Sequence, residues 1–420
     1  MSTVFGSDCV VAKPAAPLTA GLCSADRTAE DIATVRSLLE CQADAPSADE
    51  VRASMEAVIH YASQHVPLWR NGCTFQFDRE VIRARFEETI SDPDLAVRDV
   101  VSHFTTEPSR YLRGVYQVFR SGGRFGDLAY FLYDRSAWQQ FCADFLRHLR
   151  QCGISPDAAI AFVGTSDKRH TLARVAKMLP EGQGTTLGLQ DGSLELVEGL
   201  NLAKPDVLCG FASVVEWLAK EQLTGRLSIN PRGVFTNTDK ATKRTRRLVQ
   251  EAWGRSLYEL VTSTEGGVLA FECASGKMHL NTRSACIESR PDSTRLLTNL
   301  VNRAQPIIRY AFPITMTLEG SSCSCGSGFP VVQIHGGRTR AMLQIRTDNG
   351  VGWLHPIVLR SALDGLFGVD ACAFEATKDG ALMLTVEGHA APDDVNVAVR
   401  DGLQRAKLYG AHVKLTCRKV

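Results

Sequence analysis

The chain lacks several features that would mark particular classes of protein. Its 420 residues carry almost no net charge, since 47 lysines and arginines face 46 aspartates and glutamates. This balance provides neither a basic field for nucleic acid nor an acidic tail with a solvating role. No uninterrupted apolar stretch approaches the ~18–20 residues that a membrane-spanning helix needs. Internal repeats and low-complexity segments are also missing, so we expect neither a nucleic-acid nor a membrane partner.

The amino-terminal stretch and the cysteines also lack the features of a secreted, disulfide-bonded protein. The opening MSTVFGSDCVVAKPAAPLTAG lacks the basic start and long apolar block of a signal peptide. The 13 cysteines are an odd number, and most stand singly in apolar segments. This usage favours reduced, buried thiols over a disulfide framework. We therefore expect a cytoplasmic protein, whose length and 44% hydrophobic content suffice for a large core.

The order of hydrophobic patterns predicts an α/β fold. Residues 47–50 form a capping-box pattern at the start of one helix, and a second helix spans about 136–153. Strands are then predicted at 158–164, 233–237 and 257–261, and helices at 168–179, 212–224 and 239–253. Alternating strands and helices indicate an α/β sheet. From about 267 to 335 the pattern contains strands without helices, which predicts a β-rich part.

Two domains are expected. Residues 1–337 would form a large domain of several subdomains that includes the β-rich part. Residues 338–420 would form a small, truncated α+β domain, with the boundary near 338–342. Its predicted elements are a helix at 355–366, strands at 369–376 and 381–388, a helix at 393–409 and a strand at 411–417.

A glycine-rich segment, SGGRFGD at 121–127, precedes an extended run at 128–134. Glycine-rich turns expose backbone N–H groups that can bind phosphate, and Arg124 would add a positive charge. A basic hairpin turn is the alternative explanation.

A polar turn, TSTEGG at 262–267, lies between the β-like runs LYELV and VLAFE. Hydroxyl and carboxylate oxygens at a strand end suit Mg²⁺ and phosphate, because hard cations prefer oxygen ligands. A hairpin closed by two glycines is the alternative.

Four potential metal ligands occur in two short pairs. Cys273 precedes His279 by six residues, and Cys323 and Cys325 follow in a Cys-x-Cys-Gly motif. Three thiols and one imidazole make a complete Cys₃His set for zinc. A closed set of four ligands leaves no position for water, so such a site would be structural. The alternative is that these four residues are unrelated.

The run TNLVNRAQPIIRY at 298–310 combines apolar positions typical of a buried strand with Asn299, Asn302, Arg303 and Arg309. Buried polar side chains need partners. The run suits either a ligand-facing edge or a structural polar network.

Taken in order, these segments resemble the phenylacetate–CoA ligase branch of the adenylate-forming enzymes, which includes the CapK-like proteins. The resemblance covers roughly 110–420 and rests on SGGRFGD, KPDVLCGFASVVEWLAKEQ at 204–222, PRGVFTNTDKAT at 231–242, TSTEGG, and TNLVNRAQPIIRY followed by CSCG. Some members of this branch carry a zinc site of the Cys…His…Cys-x-Cys kind.

The resemblance implies an ATP-dependent ligase. A carboxylate would attack the α-phosphate of Mg·ATP to form an acyl-adenylate, and a thiol or amine would then take the acyl group. The acceptor would be CoA, a carrier protein or a small amine, and specialised-metabolite (antibiotic) biosynthesis would be a fitting setting. A homodimer is expected because it is the commonest assembly.

The resemblance also implies roles for individual residues. Thr264 would contact the α-phosphate, Glu265 would hold Mg²⁺, and Arg309 would act from the run that precedes the ribose segment. The residues implied to contact the nucleotide are Ser121, Gly122, Gly123, Arg124, Gly126, Asp239, Thr262 and Ser263. Those implied to line the acid pocket are Gly210, Phe211, Ala212 and Ser213.

The sequence departs from the family at three places. Ile314 stands where the family has the aspartate that binds the ribose hydroxyls. The hinge reads Gly-Arg-Thr-Arg-Ala at 337–341 instead of Gly-Arg-x-Asp-Asp. The chain ends before the region that normally supplies a catalytic lysine, so Lys414 and Lys419 qualify by location alone.

These departures leave alternatives to the ligase open. A catalytically degenerate or nucleotide-independent binding protein on the same scaffold is one of them. Transfer of the acyl group to the protein's own Cys417 is another.

Overall fold

The computed structural model describes residues 28–41, 45–70, 76–121, 128–290, 295–320, 322–336, 342–377 and 380–418. The helices are α1 (Thr28–Cys41), α2 (Ala48–His65), α3 (Pro67–Arg70), α4 (Arg79–Ala84), α5 (Val97–Thr106), α6 (Arg135–Gln151), α7 (Thr171–Ala176), α8 (Ser193–Ala203), α9 (Ala212–Leu223), α10 (Lys243–Trp253), α11 (Pro356–Leu363) and α12 (Pro392–Arg405).

The strands follow the same numbering along the chain. They are β1 (Tyr116–Ser121), β2 (Ala129–Asp134), β3 (Ile160–Gly164), β4 (Gly184–Gly188), β5 (Val207–Phe211), β6 (Gly233–Asn237), β7 (Leu257–Ser263), β8 (Gly267–Glu272), β9 (Met278–Leu280), β10 (Ala285–Ser289), β11 (Arg295–Asn299), β12 (Tyr310–Phe312), β13 (Thr315–Gly320), β14 (Val331–His335), β15 (Leu343–Thr347), β16 (Gly350–Leu354), β17 (Val369–Ala376), β18 (Leu382–Gly388) and β19 (Val413–Arg418).

The central sheet has nine strands in the order β13-β14-β9-β8-β7-β6-β5-β3-β4. Strands β7, β6, β5, β3 and β4 are parallel, and the pairs from β7 to β13 are antiparallel. The parallel half is connected through helices, as right-handed crossovers require long connections. The predicted α/β alternation and the β-rich part after 267 are therefore both confirmed.

The start of α2 shows why a short sequence motif located a helix correctly. The Ser47 hydroxyl accepts a hydrogen bond from the backbone N–H of Glu50 at 3.3 Å, and the Glu50 carboxylate accepts one from the backbone N–H of Ser47 at 2.7 Å. These reciprocal bonds satisfy N–H groups that a helix start otherwise leaves unpaired. Val58 and Ala62 on the inner face of α2 are fully buried.

The run at 298–310 is not one buried strand, and that prediction was wrong. Strand β11 ends at Asn299, and β12 starts only at Tyr310. The Asn299 side-chain oxygen accepts hydrogen bonds from the backbone N–H groups of Val301 and Asn302, at 3.0 and 3.1 Å. This local capping turns the backbone out of the sheet.

Several predicted helices are shorter in the structure, among them α11, which ends at Leu363, and α12, which ends at Arg405. Helix α10 begins at Lys243 and not at 239, because the Thr242 side chain caps it by accepting a bond from the Thr245 backbone. Helix α7 covers only Thr171–Ala176, with His170 as its cap. The sequence prediction also omitted β4 and α8 at the edge of the parallel half of the sheet, and β5 in its interior.

Residues 343–418 form a smaller unit of the expected α+β kind. Strands β17, β18 and β19 make one sheet, β15 and β16 make a hairpin, and α11 and α12 pack with them. A continuous hydrophobic cluster joins this unit to the large sheet, with Leu359 and Val399 on one side and Leu200 and Leu218 on the other. The hinge at 337–341 lies outside the described residues, so the domain boundary remains a prediction.

Two expectations about the whole chain can be compared with the described ranges. Within them, no helix is both long and apolar enough to cross a membrane. The cysteines in these ranges are all free thiols. Cys142 and Cys209 are buried as predicted, whereas Cys286 and Cys372, which also stand in apolar segments, are only half-buried. For Cys209, burial raises the pKa of the thiol far above its ordinary value, so it stays protonated.

His148 on α6 makes the protein sensitive to acid. Its ring lies between Phe235 and Phe271, and both ring nitrogens are buried without a hydrogen-bond partner among the described residues. Burial lowers the pKa of His148 from 6.5 to about 3. Below pH 6.5 the His148 imidazole is protonated in the unfolded chain but stays neutral in the folded protein. The free energy of unfolding therefore falls as the pH falls. We expect this residue alone to remove about 2 kcal/mol between pH 8 and pH 5.

Denaturant unfolding of wild type and His148→Leu at both pH values measures this effect. The variant should lose about 2 kcal/mol less than wild type on acidification. An exposed histidine on α2, His60, provides the control His60→Leu, which should leave the pH dependence unchanged. Identical pH dependence in wild type and His148→Leu would contradict the assignment.

Candidate functional site

A cavity of about 910 Å³ lies where parallel strands of the central sheet end. It is lined by residues that follow the carboxyl ends of β3, β6 and β7, among them Asp167, Asp239 and Thr264. Ligands of open α/β sheets bind in such crevices outside the carboxyl ends of the strands. The large cavity is therefore the candidate functional site.

The polar turn at 264–266 forms one wall of this cavity. It connects β7 and β8 as an antiparallel hairpin, and the Ser263 hydroxyl accepts a hydrogen bond from the Gly266 N–H at 2.9 Å. A side chain at Gly266 would collide with Leu269, because a Cβ there would lie 2.5 Å from its Cδ2. Thr262, Ser263, Thr264 and Glu265 all line the cavity.

Buried polar side chains hold this turn from behind. Tyr133 donates its hydroxyl hydrogen to the Thr264 carbonyl at 3.1 Å, and Asn299 donates to the Glu265 carbonyl at 3.1 Å. The loop that follows Asn299 is held in turn by Asn302, whose side-chain amide donates a hydrogen bond to the Leu132 carbonyl at 2.7 Å. The asparagines of the 298–310 run thus belong to a structural network that positions the turn, and they do not form a ligand-facing edge.

Glu265 is bound to an arginine that the sequence did not single out. Arg79, the first residue of α4, forms an ion pair with the Glu265 carboxylate. Its Nη1 also donates to the Ser121 carbonyl at 2.5 Å, and its guanidinium lies 5.5 Å from the centre of the Phe131 ring. Arg79 therefore joins the 264–266 turn to Ser121, the first residue of the glycine-rich segment.

Asp239 lies just beyond the end of β6, almost fully buried. Thr238 before it adopts a left-handed conformation with φ of +72°, which turns the chain sharply after the strand. The Asp239 carboxylate accepts a hydrogen bond from the Ser213 hydroxyl at 3.0 Å and lies 3.8 Å from the His355 ring nitrogen Nε2. His355 comes from the smaller unit, so Asp239 connects both units at the cavity wall.

One end of the cavity is aromatic. Phe119, Tyr133, Trp138 and Phe141 line it, from β1, β2 and α6. Their rings pack against one another, with centroids 5.2 Å apart for Phe119 and Trp138 and for Trp138 and Phe141. This surface suits an apolar or aromatic group, since aromatic side chains contribute most of the contact area in small-molecule sites.

A cation from the smaller unit also reaches the cavity. Arg360 on α11 lines it, and its Nη2 is buried without a hydrogen-bond partner in the described ranges. Nearby, Asp364 pairs with Arg120 of β1 at 2.5 Å. Lys414 is exposed on β19 and is not among the lining residues, and Lys419 lies outside the described part of the chain.

The structure brings together some of the residues singled out from the sequence and separates others. Ser121, Asp239, Thr262, Ser263, Thr264 and Glu265 share the cavity, whereas Gly122, Gly123, Arg124 and Gly126 lie outside the described residues. Ile314 also lines the cavity.

The predicted acid pocket does not face this cavity. Gly210, Phe211, Ala212 and Ser213 are buried or half-buried one layer behind it, at the junction of β5 and α9. Phe211 stacks on His355 with centroids 5.1 Å apart, so it belongs to the contact between the two units. A Cβ at Gly210 would lie 2.3 Å from the Val163 carbonyl, which shows that this glycine serves strand packing.

Arg309 also lies elsewhere. It has a left-handed backbone with φ of +48°, and its side chain points to an exposed ion pair with Glu288 at 3.0 Å. It is not among the described residues that line the cavity. Its placement gives no support to a catalytic role.

The four potential metal ligands meet in one place. The ligand atoms of Cys273, His279, Cys323 and Cys325 all lie within 4.8 Å of one another. The Cys273 and Cys323 sulfurs are 3.7 Å apart, and the Cys325 sulfur is 3.4 Å from the His279 Nε2. Sulfurs bound to one tetrahedral zinc at ~2.3 Å would be ~3.8 Å apart. The arrangement therefore fits zinc.

The histidine of this cluster is oriented for metal binding. Its Nδ1 lies 2.8 Å from the Phe329 carbonyl and must carry the hydrogen, because a carbonyl can only accept. The unprotonated Nε2 then faces the three sulfurs. In zinc sites, a hydrogen bond at the other ring nitrogen commonly orients the histidine in this way. A hydrogen bond from the Cys325 backbone is the main reason that the pKa of Cys323 is lowered to about 6, which favours the thiolate that zinc requires.

Sequence patterns missed Arg79, Arg360 and the aromatic lining. Arg79 stands in a short helix behind the capping residue Asp78, with no motif around it. Trp138 and Phe141 lie on the same face of α6, but hydrophobic periodicity cannot distinguish a core face from a cavity wall. Only the three-dimensional packing assigns these side chains to the site.

Comparison with known proteins relates the chain to others by fold. No protein-family model matches the sequence, and no curated protein matches it. Crystal structures of 2-hydroxyisobutyryl-CoA ligase do match. In complex with 2-HIB-AMP and CoA in the thioesterification state, that enzyme superposes with a TM-score of 0.53 at 18% identity, covering 89% of this chain and 87% of the ligase.

A second structure of the same ligase, in the postadenylation state with 2-HIB-AMP, gives a TM-score of 0.51 at 17% identity. It covers 90% of this chain and 87% of the ligase. Identities this low show a shared fold and no more. The chain has the fold of an adenylate-forming CoA ligase, with a large α/β part and a smaller carboxyl-terminal part.

Proposed function

We propose that this protein is an adenylate-forming ligase, which activates a carboxylic acid with ATP and passes the acyl group to an acceptor. The observation that carries the proposal is the cavity at the strand ends. Ser121, Asp239 and the 262–265 segment line it together, and they come from three of the segments that resemble the phenylacetate–CoA ligase branch. The shared fold supports the same assignment.

The proposed reaction depends mainly on positioning and charge. ATP would lie across Ser121 and the 264–266 turn, with its Mg²⁺ as counterion of the phosphates and Asp239 on the adenine side. Catalysis of this kind requires little covalent chemistry from the protein, because fixed donors and cations stabilise the charge that develops in the transition state. Arg360 is our candidate for the cation that the family supplies from its carboxyl-terminal lysine.

The aromatic end of the cavity would hold the side chain of the acid. Phe119, Tyr133, Trp138 and Phe141 favour an aromatic or branched apolar acid over a highly polar one. For the acceptor we propose a thiol, in line with the CoA-bound ligase that shares the fold. Amine acceptors and a role in specialised-metabolite biosynthesis remain part of the proposal for testing.

Pyrophosphate release tests this function. Purified protein would be incubated with Mg·ATP, a panel of aromatic and aliphatic acids, and CoA or small amines. The proposal expects release with a subset of apolar acids and a parallel loss in a Trp138→Ala variant, whose aromatic wall is disrupted. Background rates with the complete panel and properly folded protein would refute it.

Restoring an acidic side chain at position 314 should strengthen nucleotide binding. Ile314 lines the cavity and is only half-buried, so an aspartate there can reach solvent or ligand. Hydrogen bonds from ribose hydroxyls to a carboxylate are worth about 1.5–3 kcal/mol. We expect Ile314→Asp to bind ATP roughly 10- to 100-fold more tightly in calorimetric titrations.

The control for this change is Ile314→Leu, which keeps the apolar character and should leave the affinity for ATP unchanged. Comparing ATP with 2′,3′-dideoxy-ATP identifies the contact, because the gain should disappear without the ribose hydroxyls. A gain that persists with the dideoxy analogue would contradict the ribose assignment.

A nucleotide-independent binding protein is the second candidate function. Two points favour it: Ile314 stands where the resemblance implies the ribose-binding aspartate, and the carboxylate of Glu265 is already paired with Arg79. In that case the cavity would bind a small acid without ATP. Ligand-induced stabilisation by acids alone, together with no binding of ATP, would favour this function over the ligase.

We also propose a structural zinc ion held by Cys273, His279, Cys323 and Cys325. Support comes from the sulfur separation and from the imidazole orientation described above. The ion would tie the end of β8 and strand β9 to the loop before β14. It would stabilise the β-rich part and take no direct part in the reaction.

A further inference from the structure

We propose that Arg79 is the cation which this chain brings to the phosphate end of the cavity, and that Glu265 is a positioning residue for Arg79 and not a magnesium ligand. The inference rests on the proposed nucleotide site and assigns the ligand class at its centre: phosphoryl oxygens of ATP or pyrophosphate. It changes the role that the resemblance implies for Glu265.

The segment that carries Arg79 is fixed on both sides. Asp78 caps α4 by accepting hydrogen bonds from the N–H groups of Glu80 and Val81, at 3.0 and 3.2 Å. Before it, the Phe77 carbonyl accepts a bond from the Ala311 N–H at 2.8 Å, and the Phe77 ring contacts the Tyr310 ring edge-on at 5.8 Å. Helix α4 therefore presents Arg79 to the cavity from a rigid support.

The guanidinium itself is held between the two segments predicted to contact phosphate. Nη1 donates to the Ser121 carbonyl, and Nη2 lies 3.4 Å from the Ser121 hydroxyl and contacts Glu265. The side chains of Arg79 and Glu265 are only 16% and 7% exposed. Arg79, Ser121 and Glu265 all line the cavity, so a phosphoryl group entering between Ser121 and the turn meets this guanidinium.

Magnesium does not fit at Glu265 while this ion pair is formed. One carboxylate oxygen contacts the guanidinium, and the other lies 3.4 Å from the Thr264 hydroxyl. Mg²⁺ demands a nearly ideal octahedron of oxygen ligands. A second cation bound to this carboxylate would also be repelled by Arg79 at a distance of a few ångströms. Any magnesium in the site would have to be held through the nucleotide's own phosphates.

Arginine suits the proposed role for chemical reasons. Its planar fork matches two oxygens of a phosphoryl group, and it remains charged when desolvated. Glu265 limits the rotation of that fork, and the Phe131 ring supports it from below. Three other arginines of the cavity wall carry acidic partners: Arg120 is paired with Asp364, Arg169 with Asp167, and Arg246 with Glu259 and Glu272.

Calorimetric titration of ATP and of inorganic pyrophosphate, each with Mg²⁺ and with EDTA, tests the proposal. We expect Arg79→Met to weaken the binding of both ligands roughly 10- to 100-fold, and Arg79→Lys to weaken it less. Glu265→Gln should have a smaller effect that is the same with and without Mg²⁺. Arg83→Met, an exposed position on the same helix, is the matched control and should bind like wild type.

Thermal unfolding of each variant establishes that the fold is kept. Because Arg79→Met leaves a buried carboxylate unpaired, the double variant Arg79→Met/Glu265→Gln removes both charges together and should show the same loss of binding. Equal or tighter binding by the Arg79 variants would overturn the proposal, as would a Glu265→Gln effect that appears only with Mg²⁺.

The outcomes separate this inference from the proposed function. Binding of pyrophosphate that depends on Arg79, without binding of ATP, would support the arginine site and refute the ligase. If wild type and the Arg79 variants bind ATP equally well, the arginine site is refuted and the ligase is not. No binding of either ligand by folded wild type would refute both.

Discussion

Replacing Cys325 with serine should release the metal and strongly destabilise the protein. A structural ion stabilises the fold because it binds the folded ligand set and not the unfolded chain. With metal at 1,000 times its dissociation constant, the loss is about 4 kcal/mol. The affected region is the end of the central sheet, where β9 pairs with β8 and β14.

Metal analysis measures the loss of zinc, and thermal unfolding measures the loss of stability. Wild type should contain about one zinc per chain, and Cys325→Ser should contain almost none and unfold at a clearly lower temperature. Cys372→Ser, a half-buried thiol in β17 far from the cluster in sequence, is the control and should retain the metal. Wild type that is free of metal and as stable as metal-treated protein would contradict the zinc site.

Removing the charge of Asp364 should be nearly as damaging. The Arg120 side chain is 3% exposed and that of Asp364 17%, and the pair connects β1 of the two-stranded β1–β2 sheet with the residue that follows α11 in the smaller unit. Burial opposes the charge on Arg120, but Asp364 and the Tyr130 hydroxyl together outweigh this effect and raise the pKa of the guanidinium. Asp364→Asn therefore leaves a buried, uncompensated cation, and we expect a loss of about 3–5 kcal/mol.

Denaturant unfolding tests this expectation against an exposed pair of the same chemistry. Arg110 and Glu107 are 69% and 52% exposed at 3.2 Å, so Glu107→Gln should cost less than about 1 kcal/mol. The double variant Arg120→Met/Asp364→Leu should recover much of the stability lost by Asp364→Asn, because no charge remains buried. Equal effects of Asp364→Asn and Glu107→Gln would show that the pair is not a buried connection.

The features that the sequence predicted are those with local causes. The start of α2 was found because the side chains of Ser47 and Glu50 each accept a hydrogen bond from the backbone N–H of the other residue. Both residues lie within a segment of four. The β7–β8 hairpin was found because two glycines close it. The Cys₃His cluster was found although His279 and Cys325 are 46 positions apart in the sequence, because thiol and imidazole side chains have few other reasons to occur in closely spaced pairs.

The features that the sequence missed have tertiary causes. Arg79 meets Glu265 across 186 positions of chain, and they come together through the packing of α4 on β2 and the pairing of Phe77 with Tyr310 of β12. The predicted acid pocket was displaced because Phe211 stacks on His355, a contact that depends on how the smaller unit docks. Arg309 has the charge expected of a site residue, but its left-handed backbone directs the side chain to Glu288.

The central claim is that this protein forms an acyl-adenylate, and exchange of labelled pyrophosphate into ATP tests it most directly. The exchange reports reversible adenylation without any acceptor, so it does not depend on identifying the thiol or amine. We predict label in ATP that requires Mg²⁺ and an apolar or aromatic acid, and that falls in Trp138→Ala. No acid-dependent exchange by folded, zinc-replete protein across the acid panel would contradict the claim and leave the cavity as a binding site for another purpose.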